Sequence, residues 1–179
     1  MYGVAQSIRP GAIGLEETAQ AWSEVGVLWH FNGIDHGFHC TLFWPAVYLA
    51  CGVPPEAIGG AQVNDFPTGL DQAIPANEFL HDEDVDIVRL YLAWNRPDRY
   101  PTDFTLSAYR QFEAYVRPLL DGAGRSTPPA ALTEEDLRRA AAALHPHAFD
   151  PPLAVRSVLT ALAANAPAAE TLLPILTGR

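Results

Sequence analysis

The chain has 179 residues, with 21 acidic side chains against 11 basic ones, all of them arginine, and a formal net charge of −10. Such a chain repels phosphate backbones, which bind by releasing counterions to Lys and Arg, and without lysine it has neither Schiff-base chemistry nor lysine contacts to phosphate. Its apolar fraction of 49% is enough for the core of one domain or of one domain with a small appendage. No apolar stretch reaches membrane-spanning length, and Met1 to Pro10 lacks the basic-then-apolar layout of a secretion signal, so a cytoplasmic protein is the expectation.

Residues 1–14 read as loop. Leu15, Ala19 and Trp22 have helical spacing and predict a short helix over 15–22. Gly26 to Phe31 is apolar and β-prone, and Asn32-Gly33 breaks the run just before Asp35. From Phe38 the spacing turns helical, with Phe38, Leu42, Pro45 and Leu49 on one face. Pro45 inside that helix leaves the Thr41 carbonyl without its usual partner and predicts a kink. Gly52 to Pro55 ends the helix, and 57–66 reads as a second strand, a parallel partner of the first across a right-handed crossover. Cys40 and Cys51, if on one helix, are separated by roughly 16 Å of rise. That is too far for a disulfide, and both read as small buried side chains.

The turn at the carboxyl end of a parallel strand is where α/β sheets bind ligands, and it brings together Asp35, His36 and His39. Asp35 is a ligand group or a turn aspartate; His39 is a ligand group or a satisfied helix histidine. The same three residues have the composition of a metal site, but no metal is expected. His30, mid-strand, reads as a core or edge residue.

Residues 67–81 look irregular. Asp82-Glu83-Asp84 then opens a helix running to about Trp94, with Val85, Val88 and Leu92 on one face. Carboxylates suit the positive end of a helix dipole, which explains this acid run better than a metal does. A further helix over 106–120 puts Tyr109, Phe112, Val116 and Leu119 on a stripe. Asp121 to Ala131 is rich in Gly, Pro and Ser and reads as a linker. Beyond it, Thr133 to Asp136 resembles a capping box, and helices are predicted at 134–144, 152–164 and 167–177, with no chemical constellation among them.

The run His30, Phe31, Gly33, Asp35, Phe38-His39 and then Trp44-Pro45-Ala46 resembles a pattern from the second half of the catalytic domain of methionyl-type class I aminoacyl-tRNA synthetases. That pattern is His-Phe-x-Gly-x-Asp-x-x-x-Phe-His-x-x-x-x-Pro-Ala, and this chain is one residue tighter between Asp35 and Phe38. Residues 57–64 resemble the family strand that precedes its mobile signature loop, Asp86 to Leu92 its Asp-x-x-Arg-x-Tyr-like helix, and Thr102-Asp103-Phe104 the entry to its helical region. The resemblance implies an α/β fold class: a Rossmann-type parallel half-sheet with flanking helices, followed by an α-helical bundle. It implies a partial catalytic domain over 1–120, a linker over 121–132 and a helical tail over 133–179 like an anticodon-binding bundle. Gly33 and Asp35 would then approach the nucleoside of ATP or of an aminoacyl-adenylate, and Phe31 and His39 would line the amino-acid pocket.

Two departures shape the functional expectation. The family's first half, with its His-Ile-Gly-His signature, has no counterpart in these residues. The second signature, a Lys-Met-Ser-Lys-Ser-like loop, would fall within Asp65 to Ile74, which holds no basic residue. Those loops stabilise the charge developing on ATP phosphates. The chain by itself is therefore expected not to adenylate. A second protein chain, or a second copy, is expected to complete amino-acid activation or ligation, in small-molecule biosynthesis rather than translation. The acidic, lysine-free composition argues against tRNA as a partner, and no membrane is expected. The alternative is a non-catalytic amino-acid or nucleoside-binding or assembly module.

Overall fold

The computed structural model describes residues 9–11, 14–24, 26–68, 75–98, 101–123, 134–167 and 169–178. The chain mixes helices with parallel strand pairs and divides into two compact units, Met1–Asp65 and Phe66–Arg179.

In the first unit, helix α1 (Leu15–Glu24) begins where the Gly14 N–H donates to Glu17 Oε2 at 3.2 Å, one half of a capping box. It buries Ala19, Ala21 and Trp22, whereas Leu15 of the predicted stripe is exposed. Strand β1 (Leu28–Gly33) pairs in parallel with β2 (Ile58–Asn64), from Leu28 opposite Ile58 to Gly33 opposite Asn64. The parallel pairing expected from the sequence is present. Trp29 lies against Gly59 and Gly60, and a Cβ on Gly59 would meet the Leu28 carbonyl oxygen at 2.8 Å. Glycine is required there because a neighbouring backbone comes too close for any side chain.

Between the strands run a 3₁₀ turn (Ile34–His36), a π-helical turn (His39–Phe43) and helix α2 (Trp44–Ala50). The π turn is how the fold accommodates Pro45. The Trp44 N–H donates to the His39 carbonyl, five residues back, and the Thr41 hydroxyl donates to the Gly37 carbonyl at 2.7 Å. Pro45 then falls in the first turn of α2, where a missing N–H costs little. The expected apolar face does not enter the core: Phe38, Leu42 and Leu49 are at least half exposed. The small core is built instead from Ala19, Trp22, Tyr48, Val53 and Ala57, with Leu28 and Ile58 packed against it. Both cysteines are free; Cys40 is buried and Cys51 half-buried.

The second unit contains two short strands paired in parallel, β3 (Pro67–Thr68) with β4 (Thr102–Asp103). Its helices are α3 (Ala76–Asp82), α4 (Val85–Trp94), α5 (Leu106–Leu120), α6 (Glu134–Ala142), α7 (Pro151–Ala163) and α8 (Ala169–Thr177). Helix α5 has the predicted bounds. The Thr105 hydroxyl caps it by accepting from the Ala108 N–H at 3.1 Å, and all four stripe residues are buried. In α4 the buried face is a different one: Ile87, Val88, Leu90 and Tyr91 are buried, while Val85 and Leu92 face solvent. Helix α3 lies in a stretch that reads as irregular from sequence. A helix of seven residues is marginal by itself, and this one is held by Phe79, whose ring sits 6.0 Å from Phe104 and 5.1 Å from Tyr109. The single core of the unit takes residues from α4, α5, α6, α7 and α8, so helices on both sides of 121–132 share it. Thr133 of the predicted capping box lies outside the described residues.

The acid run 82–84 has a structural explanation. Asp84 caps α4 by accepting from the Asp86 N–H at 3.0 Å. The nearly buried Glu83 accepts from Arg110 Nη1 at 2.7 Å, from Arg110 Nη2, and from the Tyr109 hydroxyl at 3.1 Å. Burial, and then the bond to Glu83, push the Tyr109 hydroxyl well above its usual pKa. Arg96 is buried with its guanidinium 4.6 Å over the Phe149 ring, and its Nη1 donates to the Phe149 carbonyl at 2.7 Å. No helix among the described residues is long and apolar enough to cross a membrane.

Candidate functional site

The strand–turn–helix of the first unit places the predicted residues in sequence along one short path. Gly33 ends β1 opposite Asn64 in extended geometry, with φ −72°. Phe31, two residues earlier and so on the same side of the strand, is 48% exposed. Asp35 lies in the 3₁₀ turn, where its Oδ2 is 2.9 Å from His36 Nδ1; both side chains are at least half exposed. His39 opens the π turn. Its ring centroid is 6.1 Å from that of His36, with edge contacts to Phe38 at 5.7 Å and Phe43 at 6.0 Å. Asp35, His36 and His39 thus adjoin an exposed aromatic cluster. Phe43 was not among the sequence candidates, although its spacing of four from His39 on a helix would have signalled it.

His30 is half-buried in the first unit. Its ring stacks on Tyr48 at 5.9 Å and 8°, and its Nε2 is buried without a hydrogen-bond partner. Burial lowers its pKa from the ordinary 6.5. The folded state therefore resists a proton that the unfolded chain accepts near that value, and stability present at neutral pH is lost as pH falls below it. Thermal melts from about pH 7.5 to about pH 5.5 should show the first unit destabilised by acid, and His30→Phe, which keeps a stacked ring, should weaken that dependence. Equal acid sensitivity in both proteins would refute the assignment.

Among the described residues no group of three or more His, Cys, Asp or Glu side chains is placed to hold a metal ion. Of the loop that would correspond to the second signature, residues 69–74 lie outside the described set. Asp65, Phe66, Pro67 and Thr68 are described, and Thr68 pairs with Asp103 in β4.

The chain is similar to methionine–tRNA ligases over about half its length. It is 31% identical to that of Methanosphaera stadtmanae over 88 residues, 46% of this chain and 13% of the relative. It is 27% identical to that of Methanobrevibacter smithii over 115 residues, 55% of this chain and 17% of the relative. It is 32% identical to that of Haloquadratum walsbyi over 93 residues, 48% of this chain and 13% of the relative. The chain therefore spans less than a fifth of the length of these curated relatives. No family model and no solved structure matches it.

Proposed function

We propose that the chain is a methionyl-tRNA synthetase-like protein that keeps part of an amino-acid and adenylate pocket and works with a second chain in amino-acid activation or ligation. The observation that carries this reading is the turn after β1, which sets Gly33 and Asp35 at the carboxyl end of a parallel strand with His39 one turn further on. On this reading the β1–β2 pair belongs to a class I, Rossmann-type sheet. Residues 1–120 correspond to the catalytic type of domain, 121–132 to a linker and 133–179 to a helical tail of the anticodon-binding type. Gly33 and Asp35 face the nucleoside of ATP or an adenylate, and Phe31 and His39 face the amino-acid side chain. The relatives by name join methionine to tRNA; for this chain, net charge −10 and the absence of lysine argue for an acceptor other than tRNA.

Calorimetry with a non-hydrolysable methionyl-adenylate analogue tests the pocket. Wild type should bind and Asp35→Ala should bind roughly ten- to a hundredfold more weakly, the loss expected for one hydrogen bond to a charged group. Absence of heat from either protein would remove the binding reading.

A second reading, an assembly module, rests on the exposed apolar side chains Phe38, Leu42, Phe43, Trp44 and Leu49. Parallel strands normally lie covered on both faces, and contiguous apolar surface of this kind marks an interface. Light scattering should find the purified chain as a dimer or bound to a co-purifying protein; a stable monomer at high concentration would count against any partner.

A further inference from the structure

The helical unit holds a surface groove of about 450 Å³ between α4, α5 and α7, a volume within the usual range for small-molecule sites. Its aromatic wall is formed by Trp94, Phe112 and Tyr115. The Trp94 and Phe112 rings lie 5.2 Å apart, and Trp94 and Tyr115 are 41% and 56% exposed. Arg156 supplies the one charge in the lining. Arg110, Arg117, Arg138 and Arg139 are each paired with a glutamate, whereas Arg156 has no carboxylate partner among the described residues. Gln111 and Thr160 complete the polar part of the lining. The Thr160 hydroxyl donates to the Arg156 carbonyl at 2.8 Å, leaving its oxygen free only to accept.

We propose that this groove binds a small aromatic monocarboxylate, with its ring against Trp94 and Tyr115 and its carboxylate on the Arg156 guanidinium. The planar fork of arginine matches a carboxylate in bidentate geometry, and exposed indole and phenol faces stack on flat rings. Charge sets the ligand class. A phosphomonoester brings about two negative charges to a single guanidinium, in a chain already at −10, whereas a carboxylate brings one. The groove shares no residue with the turn at Asp35, so this inference stands apart from the reading of that turn.

The test is titration of the full chain with 2-naphthoate, its neutral analogue 2-naphthamide, and adenosine monophosphate, followed by calorimetry and by NMR of the indole N–H signals. Naphthoate should bind about 10- to 100-fold more tightly than the amide, the ratio expected when a charge-assisted bond is lost. Arg156→Gln should abolish that ratio without changing the melting temperature, because Arg156 is exposed. Equal binding of acid and amide, an undiminished ratio in Arg156→Gln, no binding of naphthoate, or its displacement by adenosine monophosphate at lower concentration would each overturn the proposal.

Discussion

The purified 179-residue chain should give no detectable ATP–pyrophosphate exchange with any of the twenty amino acids. Adenylation holds a triphosphate in line with a carboxylate and neutralises charge as pyrophosphate leaves. Losing one positioned donor commonly costs about 10²–10³ in rate, so two independent losses cost about 10⁴–10⁶. On the proposed reading, residues 65–74 stand where the ligases carry a basic signature loop, and they hold no basic residue; two of the nearest cations in sequence are held by other contacts. Arg96 is buried under Phe149 and bonded to its carbonyl. Arg89 packs its guanidinium where a side chain on Gly178 would stand. Arg99 lies outside the described residues. Exchange should be assayed with and without proteins that co-purify. Activity of the chain by itself would overturn the half-site reading, and activity that appears only on adding a partner is what that reading expects.

Truncating Tyr91 should unfold the second unit or nearly so. Tyr91 is 1% exposed and its ring meets four others: Trp94 at 6.1 Å, Phe104 at 5.6 Å, Tyr109 at 5.4 Å and Phe112 at 5.3 Å. Removing a buried aromatic costs about 3–5 kcal/mol through lost burial and the cavity left behind. At about 4–8 °C per kcal/mol for a domain of this size, Tyr91→Ala should lower the melting temperature by more than ~10 °C. The control is its neighbour. Leu92 is 53% exposed, and Leu92→Ala should change stability by no more than about 0.5 kcal/mol. Comparable losses from both variants, measured by calorimetry, would show that the core has been assigned to the wrong face of α4.

That pair of residues also separates what is local in this chain from what is not. The sequence by itself determined where most helices lie, because caps and breakers act over a few residues. Thr105 starts α5 and Gly52 follows α2 whatever surrounds them. It also determined the parallel pairing of β1 and β2, since a helical segment between two apolar runs leaves that solution, and it placed Gly33, Asp35 and His39 around one turn. Tertiary structure decided which faces are buried. Helix α4 is apolar on more than one side, so its periodicity admits two stripes, and only the rings of Phe104, Tyr109 and Phe112 select the one through Tyr91 rather than the one through Leu92. Helix α3 exists because Phe79 reaches the same aromatic cluster. The acid run at 82–84 is divided between a cap and a bridge by Arg110, 27 residues beyond Glu83. In the first unit, the proline at position 45 predicts a disturbance in its helix, but the form it takes, a π turn that leaves Phe38, Leu42 and Leu49 facing outward, depends on what packs beneath. Those contacts lie far apart in the chain, and no local pattern encodes them.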